Sequence, residues 1–178
     1  GSWAVAAGSI GSEPWRTYVY RLVDGSWTKD TELGTSAASA LSVAASKSAT
    51  YVYAHQSSGD GGQAYLATLS ADGSGSVVRE LSSEVTRAAS LSGCIAVDDG
   101  HVYLVGANGS GAVSASAAPL DDSSLMTPLG SQVYRSGFGV SSVVVGGHVY
   151  CAVADDDASA VAVRVHDALP GTGIPDPG

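Results

Sequence analysis

Short runs in which apolar and small polar residues alternate, separated by Gly-, Asp- and Asn-bearing turns, fill most of the chain. Gly93–Val97 reads as a short apolar strand, Asp98-Asp99-Gly100 as a turn and His101–Val105 as a second strand. Ala107–Gly111 makes a further Gly-rich turn, followed by strands over Ala112–Ala118 and Met126–Leu129. Asp-Gly and Asn-Gly pairs between alternating runs predict hairpins, because tight two-residue loops hold their central residues at positive φ. The same order is predicted over Leu41–Ala45, Tyr51–His55, Ala64–Leu69 and Val77–Leu81. Near the start, Trp3–Ala7, Thr17–Val23 and Trp27–Leu33 take the places of the second, third and fourth strands. Near the end, Val140–Val145, His148–Val153 and Ala160–Val165 take those of the first three.

Three markers step through these units together. Leu33, Leu81 and Leu129 lie 48 residues apart, each followed by a small residue. Tyr51-Val52-Tyr53, His101-Val102-Tyr103 and His148-Val149-Tyr150 recur at a similar step, as do Leu22, Leu69 and Leu120. A fixed period of this size is the mark of stacked supersecondary units that bury their faces against one another. Four short antiparallel strands per unit predict an all-β fold, a β-propeller seen as a partial ring of about three to four four-stranded blades. The expected blades cover approximately residues 1–35, 36–85, 86–135 and 136–167, with a Pro/Gly-rich tail over 168–178. The first unit lacks an inner strand and the last lacks an outer one, which predicts the C-terminal part of a larger propeller. A self-contained ring of four blades, or two copies pairing their open edges, are the alternatives, since an unpaired edge invites pairing.

Composition sharpens this picture. The residues are 44% hydrophobic, mostly Ala and Val, with 23 glycines, a make-up suited to tight sheets rather than long helices. Eight Lys plus Arg face seventeen Asp plus Glu, a formal net charge of −9, so phosphate backbones are repelled and nucleic acid is excluded as a partner. No window approaches the roughly 18–20 apolar residues that span a bilayer, so no membrane contact is expected of this segment. The first residues open directly into strand-like sequence without a leader, which predicts that they lie inside a longer protein. Cys94 and Cys151 form no disulfide framework; two buried thiols are the simpler assignment and a bridge between neighbouring blades the other.

Two stretches resemble known families. Asp99-Gly100-His101-Val102-Tyr103-Leu104-Val105-Gly106 and Gly146-Gly147-His148-Val149-Tyr150 resemble the apolar strand of kelch repeats. Val19-Tyr20-Arg21-Leu22-Val23-Asp24-Gly25-Ser26-Trp27-Thr28 resembles the kelch passage in which a Tyr-bearing strand turns back into a Trp-bearing one. The likeness runs from Trp3 to about Val165, although the kelch diglycine survives only as Gly106-Ala107. Leu169-Pro170-Gly171-Thr172-Gly173 is similar to the LPxTG sorting signal of Gram-positive surface proteins. In that family a sortase cleaves after the Thr and joins its carboxyl to cell-wall peptidoglycan. The resemblance implies a sortase as processing partner and a cell wall-anchored, extracellular location. The apolar span and basic tail that follow such a signal do not occur within these 178 residues.

Candidate chemistry is sparse. His101 and His148 open equivalent strands, and with His55 and His166 they show no H-x-x-x-H spacing; no metal site or cofactor is expected. The pairs and triplet Asp98-Asp99, Asp121-Asp122 and Asp155-Asp156-Asp157 read as solvated turn residues, lacking the spaced carboxylates of a calcium loop. Ser58-Gly59-Asp60-Gly61-Gly62-Gln63-Ala64-Tyr65 resembles the Asp-box of sialidase-like propellers, where that box is structural. No G-x-S-x-G elbow occurs, the arginines are scattered, and Tyr150-Cys151 points to opposite faces of one strand, so no catalytic residue is expected. Trp15 and Trp27, near turns, are the candidate ligand-binding residues, since an aromatic face is a platform for sugars or peptides. For Trp27, packing between blades is the favoured alternative.

Together these features predict a non-catalytic, adhesin-like surface propeller that binds an extracellular protein or glycan. The alternative is the C-terminal part of a secreted propeller enzyme, a glycoside hydrolase or oxidase, with its catalytic residues upstream. The nearly uncharged inner strands weigh against catalysis in this portion. A purely structural spacer is the third reading.

Overall fold

The computed structural model describes residues 2–8, 15–36, 38–56, 62–88, 92–98, 100–108, 112–120, 126–133, 137–145, 148–157 and 160–167. They form an all-β fold of four antiparallel sheets, each a meander of strands consecutive in sequence. The first holds β1 (Trp3–Gly8), β2 (Arg16–Val23) and β3 (Ser26–Leu33). The second holds β4 (Ala40–Ala45), β5 (Ala49–Gln56), β6 (Gln63–Ser70) and β7 (Ser76–Glu80). After the helix α1 (Ser83–Ala88), the third sheet holds β8 (Ser92–Val97), β9 (His101–Ala107), β10 (Ala112–Pro119) and β11 (Thr127–Val133). The fourth holds β12 (Gly137–Val145), β13 (His148–Asp157) and β14 (Ala160–Asp167). Every strand that the alternation predicts is present, with ends displaced by a few residues at most.

Turn chemistry sets the hairpins. Asp24 and Gly25 take φ 48° and 80°, the two positive values of a type I′ turn, and Val23 pairs directly with Ser26 across them. Pro128 sits in β11, an edge strand where its missing N–H breaks no inner ladder, beside a register shift at Ala115/Ser116. The acidic run Asp155–Asp157, expected in a turn, instead continues β13 and pairs with Ala160–Ala162. The alternation of β14 carries the pairing that far.

The two middle strands of the second sheet, β5 and β6, are buried on both faces. Tyr51, Tyr53, Ala64 and Leu66 enter one core with Ile95, Val102, Leu104 and Ala118 of the third sheet. Val52, Ala54, Ala67 and Leu69 enter another with Val19 and Leu33 of the first sheet, flanked by Trp3 and Val5. Successive strand residues point to opposite faces, so β5 reads as an unbroken apolar run because both of its sides are covered. Burying each large side chain contributes about 1.5–3 kcal/mol. The repeat markers explain themselves here: Leu33 and Leu81 each close the last strand of a sheet into a core at 0% and 7% exposure. Val52 and Val102 face the preceding sheet, while Tyr53 faces the following one.

Polar contacts lock the first two sheets together from β1 to β3. Ser76 Oγ donates to Asp30 Oδ2 at 2.6 Å, and Arg21 Nη1 donates to the Gly73 carbonyl at 2.7 Å. Trp3 Nε1 donates to the Ser70 carbonyl at 2.9 Å. On the opposite side, β4 lies against β8, where Ile95 N donates to Ser42 Oγ at 3.0 Å, and β8 lies in turn against β12.

The six-residue helix α1 was not expected. Ser82 caps it through its hydroxyl, which accepts from Val85 N at 3.4 Å, and Glu84 and Arg87 match the helix dipole at the two ends. Val85, 1% exposed, closes the end of the core between the second and third sheets.

Candidate functional site

Alternation along β2 and β3 sends Val19 and Leu33 into the core and leaves Tyr18, Tyr20, Leu22, Trp27, Lys29 and Glu32 on the other face of the first sheet. Leu22 and Trp27 stand directly opposite each other, 38% and 52% exposed, at the end of the sheet beside the Asp24-Gly25 turn. Tyr20, half-buried, follows opposite Lys29, and Tyr18, opposite Glu32, is 1% exposed, so the accessible stripe ends at Tyr20. The Tyr18 and Tyr20 rings are 6.2 Å apart between centroids and tilted by 52°. On β1 the positions sharing this face are Ala4 and Ala6, opposite Tyr20 and Tyr18, so the aromatic stripe borders a low alanine floor.

Charges close the far end of the stripe. Glu32 bridges Lys29 at 2.9 Å and Arg16 at 2.8 Å. The Lys29 hydrogen bond is the main cause of a Glu32 carboxyl held below the usual carboxylate range, with Arg16 adding to it. Lys29 Nζ also lies 5.4 Å from the centre of the Tyr18 ring, a cation–π contact of about 0.5–1 kcal/mol at such a site. With both cations engaged by Glu32, the accessible chemistry of the face is stacking and apolar contact.

Trp27 does not pack between the first and second sheets. Trp27 shares its face with Leu22, Tyr20 and Tyr18, and the residues that meet the second sheet are those on the other face. Trp15 is also exposed, at 66%, just before β2. It lies seven residues along the strand from Leu22, roughly 20 Å at the strand rise, so the two tryptophans cannot grip one sugar ring together. The sorting-signal residues Leu169, Pro170, Gly171, Thr172 and Gly173 lie outside the described residues, as do Asp121, Asp122 and the Asp-box residues before Gly62.

The remaining candidates resolve into structural roles. Asp98 accepts from Gly100 N and His101 N, both at 2.7 Å, and from the Tyr103 hydroxyl at 2.8 Å. Burial pushes its pKa up, but the hydrogen bonds from Gly100, Tyr103 and His101 together outweigh that and hold it lowered. Burial chiefly, then the Asp98 bond, pushes the Tyr103 phenol up to about 12. His55 is 1% exposed, with Nδ1 3.2 Å from Ser39 Oγ, and belongs to the core. Cys94 is a half-buried thiol that donates to the Val105 carbonyl at 3.7 Å. Among the described residues, no three of His, Cys, Asp and Glu converge as metal ligands.

No family model matches the chain. No characterised protein matches it either.

The Asp98 turn yields a test. A carboxylate lowered in the folded state contributes stability that is complete above the unfolded value and lost as pH falls through the folded one. Asp98→Asn should lower stability at pH 7 by about 1–2 kcal/mol, because an amide cannot accept all three bonds equally well. Urea midpoints at pH 7 and pH 3 should then differ less in the variant than in the parent. An unchanged difference would remove Asp98 from the acid response.

Proposed function

We propose that this chain is a non-catalytic recognition module, built as propeller blades and displayed outside a Gram-positive cell, that takes a protein or glycan on the outer face of its first sheet. The observation that carries the reading is the exposed Trp27 directly across from the exposed Leu22, continued by Tyr20. Aromatic side chains offer large, rigid contact area at low entropic cost, which is why they dominate recognition surfaces. The adjoining alanines leave room above the stripe for a flat ring or an extended peptide.

The propeller reading is supported by four consecutive meanders and by the side-by-side run of β4, β8 and β12, the first strands of their sheets. Radially arranged blades place their first strands next to one another in this way. The kelch-like passages support it too, and the LPxTG-like segment supports anchoring through Thr172.

Arrays of glycans and of immobilised extracellular proteins, probed with the parent chain and with Trp27→Ala, test recognition. Binding should fall roughly tenfold or more in the variant, as at a central aromatic anchor. Its urea midpoint should correspond to a stability within about 0.5 kcal/mol of the parent, as for a surface position. Ligands bound equally by both proteins would overturn the assignment of the site. Mass spectrometry after sortase treatment with an amine acceptor tests anchoring separately, and no transfer at Thr172 would remove it.

A further inference from the structure

The second and third sheets part at one end and leave a cleft of about 300 Å³ between them. Ala45, the last residue of β4, forms one wall with Ser46 and Lys47 of the turn beyond it. Val97, the last residue of β8, forms the other with Asp98. The two walls are tied together close by. The Tyr51 hydroxyl crosses from the second sheet to the Leu120 carbonyl at 3.5 Å, and Leu120 N donates to the Gly100 carbonyl at 3.1 Å.

These walls carry opposite charges that do not cancel. Asp98 Oδ1 accepts from Gly100 N and His101 N, and Oδ2 from the Tyr103 hydroxyl, which fills three of the roughly four acceptor positions of a carboxylate. The carboxylate is thus held in place with one position open. Across the cleft, the hydroxyl of Ser46 accepts from Ser48 N and Ala49 N and donates to the Ala49 carbonyl, which fixes the turn that carries Lys47. Among the described residues, Lys47 makes no ion pair with Asp98 or with any other carboxylate.

A simple anion drawn to Lys47 would face the Asp98 carboxylate, and a simple cation drawn to Asp98 would face the ammonium. A molecule with both charges satisfies both walls, and hydrogen bonds between ionised groups are the strong ones. Ala45 and Val97 complete the lining and suit a short aliphatic stem. The volume lies at the low end of the roughly 300–1,000 Å³ of ligand pockets, which fits one small molecule rather than a chain. We propose that this cleft binds a small zwitterion of the amino-acid class, with its carboxylate on Lys47 and its ammonium on the open position of Asp98. The site is separate from the outer face of the first sheet and does not depend on recognition there.

The test is a titration of the full chain, followed by amide NMR, with unbranched amino acids of increasing length from glycine to aminohexanoate. At least one should bind saturably with a roughly millimolar Kd, as befits so few ligand atoms, and should shift the amides of Ser46, Lys47, Val97 and Asp98. Butyrate and butylamine, which carry one charge each, should bind roughly tenfold more weakly or worse, having lost one charge-assisted contact. Lys47→Gln should weaken the zwitterion to the level of the amine, whereas Lys47→Arg, which keeps the charge, should restore binding. Lys47 is exposed in a turn, so both variants should keep the thermal midpoint of the parent. No saturable shift with any member of the series would overturn the proposal. Equal affinity for the singly charged compounds, or full affinity in Lys47→Gln, would overturn it as well.

Discussion

Replacing Tyr53 with Ala should lower the unfolding free energy by about 3–5 kcal/mol, the loss expected when a fully buried aromatic leaves a cavity. Tyr53 is 0% exposed and packs in the core between the second and third sheets, among Leu66, Ile95, Val102 and Leu104. Burial first, and the neighbouring Cys94 second, push its phenol above the ordinary range, so it sits there as a neutral group. The cavity cannot refill cheaply, because sheets on both sides hold β5 in place. Urea unfolding followed by circular dichroism gives the number directly. A second substitution sharpens the test: a Cβ added at Gly93 would stand 2.6 Å from Tyr53 Cε1, so Gly93→Ala should be destabilising in the parent. In the Tyr53→Ala background the same change should cost far less, a coupling that a double-mutant cycle measures. Equal costs in both backgrounds would mean the ring does not rest on Gly93.

Gln56→Leu should cost about 2–4 kcal/mol, because it strips the partners from several backbone groups at once. Gln56 is 3% exposed, and its Nε2 donates to the Leu33 carbonyl at 2.8 Å and to the Ser36 carbonyl. Its Oε1 accepts from Thr35 N at 3.3 Å. One amide side chain therefore fixes the connection between the first and second sheets. Gly34, at φ 73°, makes room for it, since a Cβ there would lie 2.2 Å from Gln56 Nε2. Leucine matches the volume but offers neither donor nor acceptor. Thermal unfolding of the variant should begin with the first sheet, seen as early loss of the Trp3 environment. A midpoint within error of the parent would show that water replaces the amide at no cost.

The strands were legible because their turns carry unambiguous chemistry. Asp24-Gly25 adopts the two positive φ angles that the dipeptide announces. The leucine step was legible because Leu33 and Leu81 do the same job in successive sheets. That Trp27 faces away from the second sheet was not legible, because alternation separates two faces but does not say which one meets a neighbour when both carry apolar residues. Val19 and Leu33 lie on the covered face, and nothing local to Tyr18-Val19-Tyr20 reveals that. The helix Ser83–Ala88 is too short for a 3.6-residue period to emerge, and its signals were Ser82 as cap with Glu84 and Arg87 at the ends. Gln56 escaped notice because a lone amide at a strand end has no pattern; only the bend at Gly34 hinted at a close approach.

The meander order has a kinetic consequence. Every backbone ladder joins strands adjacent in the chain, so each closure spans only a short loop and costs little entropy. The second sheet has all its pairing partners once Glu80 has been synthesised, and β1 to β3 are already available to cover one of its sides. Folding can therefore proceed unit by unit behind the ribosome, each newly made sheet settling onto the one before it.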